Sequence, residues 1–292
     1  MKAGWISGAT RVCGVIGDPV EHTMSPAMQN AAFREASLDY VYAAFPVRGE
    51  DLGHAIHGMR ALGMRGLNVT IPHKVTVIPF LDEIDPLADR IGAVNTIVND
   101  GGVLKGYNTD ASGFMQALLE KGVDPRGKSV LVLGAGGASR AVCLALGESG
   151  AHVFIFNRAE ELDWAYDLAA TVSWHAECEA KAGELKRENL AGVLPRMDIL
   201  VNATSVGMTP DSDRSPVDAD LLRPGLLVFD VVYNPLRTRL LREAEAAGAT
   251  TIAGVEMLAW QGALSFEIWT GVKAPVELMR REATRLLEER ED

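Results

Sequence analysis

Two residues of this chain have the types and surroundings that proton transfer requires. Lys74 closes the motif NVTIPHK (68–74), and Asp110 closes GYNTD (106–110). A lysine amine can donate to a reacting oxygen and then pass it a proton, while a carboxylate beside it keeps the ammonium oriented. Asn95 with Thr96, and Asn108 with Thr109, add a polar cluster that a dry core would not tolerate unpaired. Thr23 and Ser25 offer hydroxyls at alternate positions, suited to a carboxylate. Each residue also has a plainer reading. Lys74 can be a solvated lysine at a strand end, Asp110 the cap of a helix over 111–121, and Ser25 the cap of a helix that Pro26 begins.

A third feature, VLVLGAGGASRAV, supplies an apolar strand, a tight turn and a helix start. Gly134 permits the turn and Gly136 the close approach of a pyrophosphate. Gly137 stands one place early for a third glycine, and Ser139 takes the last place of G-x-G-x-x-G. The helix's unpaired amides and positive end would hold the phosphates. No Gly-Lys-Ser/Thr closes the turn, so the other nucleotide loop is poorly met. This order implies a small polar substrate on the first part of the chain and a dinucleotide on the second.

The tip of the next strand, NRAEE from Asn157, carries both signs of charge. Glu160 and Glu161 suit free ribose hydroxyls, Arg158 suits a 2′-phosphate, and Arg158 can also stack on adenine. On these residues NADP and NAD both stay open. NATSVGM (202–208) is a strand followed by a small-residue loop that can lie against a flat ring, Tyr233 ends LLVFDVVY, and Gln261 follows Gly254 on a helix. Taken singly each suits a structural role as well. His22 and His73 form no HxH or HExxH pattern, so no metal is expected. Trp260 and Trp269 read as packing anchors.

The elements that must position these residues alternate in the α/β manner. Strands are expected over 12–17, 40–46 and 67–72, helices from Pro26 and over 51–62, a helix from Asp85-Pro86 through about Arg90, and a hairpin turning at Gly101-Gly102. Further strands are expected over 129–133, 151–156, 197–204, 226–233 and 250–253. Helices are expected over 137–149, 237–247, 257–270 and 275–290, with an irregular, partly helical stretch over 160–192. At 292 residues the chain should form two domains. A net charge of −11 argues against nucleic acid or an anionic membrane as partner, and no apolar run reaches membrane-spanning length. Three cysteines without a CxxC pair, and a first segment without the apolar run of a signal peptide, fit a cytoplasmic protein. Oligomeric state is not legible, a homodimer being one assembly open to the chain.

Together these motifs carry more than their separate weights. HTMSP (22–26), NVTIPHK, GAVNT (92–96), GYNTD, GAGGASRA (134–141), NATSVGM, DVVYNP (230–235) and GVEMLAWQGA (254–263) resemble, in order, those of the shikimate dehydrogenase family, including its quinate/shikimate branch. The resemblance implies two α/β domains. One is a substrate-binding catalytic domain of 1–109 with 254–292, completed by the C-terminal helices; the other is a Rossmann-type domain of 110–253. It implies reversible reduction of 3-dehydroshikimate to shikimate in aromatic amino-acid biosynthesis, hydride passing from the nicotinamide as Lys74 protonates the alkoxide. Lys74 and Asp110 resemble the catalytic pair, both also touching substrate. Thr23, Ser25, Thr70 and Tyr233 resemble contacts to the substrate carboxylate, and Asn95 and Gln261 contacts to its ring hydroxyls. Gly134, Ala135, Gly136, Gly137, Ala138 and Ser139 fall on the pyrophosphate turn. Asn157, Arg158, Glu160, Thr204, Met208, Val231 and Gly254 resemble further cofactor positions. Two departures stand out. Thr23 replaces the commoner serine, and Ala159 and Leu162 fall where NADP-dependent members carry a threonine and a second basic residue. Alternatives are a quinate/shikimate enzyme preferring NAD and, more distantly, a non-catalytic sensor of a dinucleotide and a small acid.

Overall fold

The computed structural model describes residues 6–291. Its contacts divide the chain into two units, Met1–Gly113 with Ala259–Leu286, and Phe114–Leu258 with Leu287–Asp292. Both interior crossings fall a few residues inside helices, later than the 109/110 and 253/254 boundaries read from sequence, and the segment from Leu287 groups with the second unit.

The first unit runs β1 (Arg11–Gly17), α1 (Ser25–Glu35), β2 (Tyr40–Pro46), α2 (Leu52–Ala61) and β3 (Gly66–Val69). The two-residue β4 (Glu83–Ile84), α3 (Pro86–Ile91) and the hairpin β5 (Thr96–Asp100) and β6 (Val103–Tyr107) follow. α3 starts at Asp85-Pro86 as expected, and Asp85 caps it, accepting from the Leu87 amide at 3.0 Å. The hairpin turns where Gly101 and Gly102 supply positive φ, 62° and 98°. The sheet order is β2-β1-β3-β5-β6-β4. β1 is parallel to β2 and β3, while β5 is antiparallel to β3 and to β6. β6 therefore runs in the direction of β1 and β3, and the carboxyl ends of all three share one edge with the start of β5. LNVTIP is strand only to Val69. Thr70 onward turns away, with the His73 amide donating to the Thr70 carbonyl at 2.9 Å.

α4 (Asp110–Glu120) leads into the second unit. There follow β7 (Ser129–Leu133), α5 (Gly137–Glu148), β8 (His152–Asn157), α6 (Leu162–His175), β9 (Lys181–Glu184), α7 (Arg187–Val193) and β10 (Ile199–Asn202). β11 (Leu227–Asp230), α8 (Arg239–Ala246) and β12 (Thr250–Ile252) complete it. All six strands are parallel, in the order β12-β11-β10-β7-β8-β9. Numbered from β7, this is the doubly wound 3-2-1-4-5-6 arrangement, which reverses between β7 and β10. Apart from half-buried Ser129 at the start of β7, the central strands β7, β10 and β11 are buried, which explains their nearly continuous apolar runs. β9 lay unread inside 160–192 because KAGE is an edge strand, paired only to β8 and half-buried, with no apolar signature.

α9 (Gly254–Thr270) returns the chain to the first unit, and α10 (Val276–Glu291) follows. In the first unit Ile16, Leu67, Val69 and Ile97 of the sheet meet Ile56 and Met59 of α2. From α9, Phe266 stacks on Phe33 of α1 at 5.3 Å, and Trp269 lies so close to Gly66 that a β-carbon there would sit 2.1 Å from the indole nitrogen. That nitrogen donates to the Ile97 carbonyl at 3.0 Å, so Trp269 is the anchor its type suggested. In the second unit Leu131, Leu133, Leu200 and Val228 pack with Leu240, Leu241 and Ala244 of α8.

Candidate active site

The shared edge of the first sheet gathers the polar residues. Thr23 and Ser25 follow β1, Thr70 and Lys74 follow β3, Asn95 precedes β5, and Asp110 follows β6. Lys74 Nζ donates to Asp110 Oδ2 at 2.5 Å, with side chains only 16% and 6% exposed. Such a pair is costly to bury unless the remaining lone pairs are satisfied. Asp110 Oδ1 accepts from Asn95 Nδ2 at 2.9 Å, which meets that condition. The Lys74 carbonyl accepts from the Val94 amide at 2.7 Å, fixing the lysine backbone to the segment that carries Asn95.

Asp110 is not the cap of its helix. Asn108 Oδ1 accepts from the amides of Asp110 and Ala111, at 3.0 and 3.2 Å, while Asn108 Nδ2 donates to the Ala93 carbonyl at 3.0 Å. Asparagine does what the aspartate was read as able to do, and the carboxylate is turned instead to Lys74 and Asn95. At the first turn of α4 its negative charge also meets the positive end of the helix.

Asn95 is fully committed within this cluster. Its Oδ1 accepts from the Thr109 amide at 2.8 Å, and its Nδ2 donates to Thr109 Oγ1 as well as to Asp110. Ser265 of α9 is the residue sequence reading missed. Its buried hydroxyl meets Thr96 at 2.8 Å, Asn68 Nδ2 at 3.0 Å and Thr109 at 3.2 Å, and donates to the Gln261 carbonyl at 3.0 Å. The signal was a lone serine between Leu264 and Phe266, one helical turn from Gln261. Gln261 itself is brought up by Gly113 of α4. A β-carbon at Gly113 would lie 2.8 to 3.0 Å from Gln261 backbone and Cβ atoms.

The Thr23 and Ser25 hydroxyls meet at 3.2 Å. Ser25 is the first residue of α1 rather than its cap. Met24 holds the cap position and no side chain caps the helix, so the Ser25 hydroxyl stays beside Thr23. The methyl of Thr70 packs where a β-carbon on Gly17 would be, 2.4 Å away. Buried His73 directs Nε2 to the Val47 carbonyl at 2.6 Å, a packing role.

In the second unit the predicted cofactor residues all lie at carboxyl ends of strands. Gly134 follows β7, Asn157, Arg158 and Glu160 follow or end β8, Thr204 and Met208 follow β10, Val231 follows β11, and Gly254 follows β12. Tyr233, expected at the substrate carboxylate, also follows β11 and so belongs to this unit, whereas Thr23, Ser25 and Thr70 belong to the first. Gly134 has φ 100°, and a β-carbon there would stand 3.1 Å from the Ala203 carbonyl, Ser139 Oγ and Thr204 Cγ2. The turn thus occupies the reversal point between β7 and β10, where open α/β sheets bind ligands. Gly136 differs. Its backbone is extended, and a β-carbon would meet nothing within 4 Å. Gly136 caps α5 without a side-chain hydrogen bond, leaving the first-turn amides of Gly137 and Ala138 to an outside acceptor. Open space before those amides fits a pyrophosphate. Ser139 is buried and its hydroxyl donates to the Ala203 carbonyl at 3.4 Å, so its part in the turn is through the backbone.

Around this turn, Asn202 Oδ1 accepts from the Thr204 amide and hydroxyl at 3.1 and 2.7 Å, and Asn202 Nδ2 donates to Asp230 at 2.9 Å. Asp230 also accepts from Thr238 Oγ1 at 2.6 Å and the Val232 amide at 3.0 Å. Burial pushes its carboxyl up to about 6, against the pull of these donors. Gly254 is required by packing, since a β-carbon would lie 2.5 Å from the carbonyls of Val231 and Val232. At the tip of β8, Asn157 Nδ2 donates to the Glu161 carbonyl at 2.9 Å, and the Arg158 guanidinium pairs with the Glu161 carboxylate.

Known proteins share both the sequence and the fold of this chain over nearly its whole length. The profile of the shikimate dehydrogenase substrate binding domain matches residues 15–97, and that of the shikimate 5′-dehydrogenase C-terminal domain matches 254–284. A protein of Dehalococcoides mccartyi (strain CBDB1) named shikimate dehydrogenase (NADP(+)) is 49% identical over 278 residues, covering 95% of this chain and 96% of the relative. A crystal structure of a shikimate dehydrogenase in complex with NADP+ superposes with a TM-score of 0.91 at 42% identity, covering 97% of this chain and 98% of that one. The shikimate 5-dehydrogenase of Listeria monocytogenes, in complex with shikimate and NAD, gives 0.88 at 41% identity, covering 94% and 97%.

Proposed function

The chain belongs to the shikimate dehydrogenase family, and from that premise we propose how its two units divide the reaction. It is an NAD(P)-dependent oxidoreductase acting on shikimate, in the biosynthesis of aromatic amino acids. The first unit takes the substrate and supplies the proton. The second takes the dinucleotide, with its pyrophosphate on the Gly134–Ser139 turn and its adenosine at Asn157, Arg158 and Glu160. Among the described residues no helix is long and apolar enough to cross a membrane. A cytoplasmic setting suits the free cysteines Cys13, Cys143 and Cys178.

The observation that carries this reading is the 2.5 Å contact between Lys74 and Asp110. Asp110 holds the ammonium in place, and Asn95 holds Asp110. When bound, the reduced nicotinamide supplies a hydride to the C3 carbonyl of 3-dehydroshikimate. Lys74 Nζ donates to that carbonyl oxygen and transfers its proton as negative charge develops there. In the reverse direction Lys74 accepts the proton from the C3 hydroxyl of shikimate. General acid–base transfer of this kind contributes about 10²–10⁴-fold. The paired hydroxyls of Thr23 and Ser25, with Thr70, receive the substrate carboxylate, and Gln261 takes a ring hydroxyl. A sensor would need a dinucleotide turn but no buried ammonium–carboxylate pair.

The experiment offers purified protein shikimate or quinate with NADP+ or NAD+ and follows the near-ultraviolet absorbance of the reduced nicotinamide. Shikimate is expected to turn over, and Lys74→Ala to slow it about 10³-fold while dinucleotide binding persists. No turnover of shikimate with either cofactor would overturn the reading. Turnover of quinate at a kcat/KM above that for shikimate would reassign the substrate.

A further inference from the structure

At the tip of β8, Arg158 is the residue suited to a ribose 2′-phosphate. Arg158 is the one cation in the segment 158–163, which also holds Glu160, Glu161 and Asp163. The short helical turn Ala159–Glu161 folds back at the end of β8 and brings the Glu161 carboxylate onto the guanidinium. Glu161 is the better fixed of the two. Its carbonyl accepts from buried Asn157 at 2.9 Å, and its side chain is 23% exposed against 65% for Arg158. The hydrogen bond from Arg158 holds the Glu161 carboxyl below the usual carboxylate range, so at neutral pH it is a full negative charge.

A ribose 2′-phosphate brings close to two negative charges and seeks the same guanidinium. It must share or displace Glu161 and then remain beside that carboxylate. A ribose 2′-hydroxyl brings no charge and meets no such competition. Exposed ion pairs are individually weak, so the pairing biases the choice without closing either route. We infer that Glu161 is a specificity-determining residue: by engaging Arg158 it weakens binding of the 2′-phosphorylated dinucleotide relative to the unphosphorylated one. This rests on the reading of the β8 tip as the adenosine site.

The test is equilibrium titration of the full chain with NADP+ and with NAD+, followed by calorimetry or tryptophan fluorescence, for wild type, Glu161→Gln and the double variant Arg158→Ala/Glu161→Gln. Glu161→Gln keeps the side-chain shape and removes the charge. It is expected to tighten NADP+ by about three- to tenfold and to leave NAD+ within about twofold, with the gain shrinking at high salt. In the double variant the gain disappears. An unchanged NADP+/NAD+ affinity ratio in Glu161→Gln overturns the inference, as does weaker NADP+ binding, which would mean that Glu161 presents Arg158 to the phosphate. A gain that survives loss of Arg158 overturns it too. If wild type binds neither dinucleotide, the adenosine-site reading falls and this inference with it, an outcome distinct from binding without discrimination.

Discussion

The two sheets of this protein build the edges proposed to meet substrate and dinucleotide in opposite ways. On the first, mixed sheet the edge is built of side chains: Lys74, Asp110, Asn95, Thr109 and Ser265 are linked by hydrogen bonds of 2.5 to 3.2 Å. On the second, parallel sheet the edge is built of backbone, a glycine turn at positive φ and a helix start without a side-chain cap. Chemistry that moves a proton needs a particular functional group. Holding a pyrophosphate needs amides and the absence of atoms. Truncation should therefore damage the first edge and addition the second.

The strongest way to break this comparison is Lys74→Ala. Its kcat should fall about 10³-fold, within the general acid–base range, while dinucleotide affinity measured by titration stays within about twofold. A comparable loss of affinity would show that the two edges do not divide the work. Next in size is a prediction for the support beneath the second edge. The Asp230 carboxyl is raised from 3.8 to about 6. Between those values only the folded protein holds the proton, so stability is gained below them and lost as pH rises through about 6. Between about pH 4.5 and 7 wild type should lose roughly 2 kcal/mol relative to Asp230→Asn, read from denaturant unfolding of both.

The two glycines sharpen the contrast further. Gly134→Ala should cost about 1–3 kcal/mol of stability, because a side chain at that φ is strained, and should weaken the dinucleotide as well. Gly136→Ala should change stability by less than about 0.5 kcal/mol yet weaken the dinucleotide at least about tenfold. Equal behaviour of the two in melting and titration would mean that the space before α5 is not used. Smallest is Asn108→Ala, which removes the cap of α4. It should lower stability by about 1 kcal/mol, a Tm shift of roughly 2–4 °C, with a modest fall in kcat if Asp110 is drawn into capping.

Much of this arrangement was legible residue by residue. The strand, turn and helix around Gly134 stand where local pattern put them, as do the Asp85-Pro86 helix start and the Gly101-Gly102 hairpin, because each depends on a few adjacent backbone angles. β9 and β4 were not legible, since KAGE and the two residues of β4 carry no apolar alternation. The caps were misassigned for a related reason. Asn108 and Asp110 are both good N-caps, and only the lysine approaching from the end of β3 decides which of them turns away.

The sequence by itself determined the element types, the glycine turn, and the presence of an amine and a carboxylate in polar motifs, all set by neighbours within a few positions. Strand order belonged to the tertiary structure alone. By pairing β5 antiparallel between β3 and β6, the fold brings residues 74, 95 and 110 to one sheet edge, and α9 returns Ser265 and Gln261 to it. These residues stand far apart along the chain, and no periodicity records that they meet. What joins them is the burial of the sheet and the need of each buried polar atom for a partner, which only the folded chain can supply.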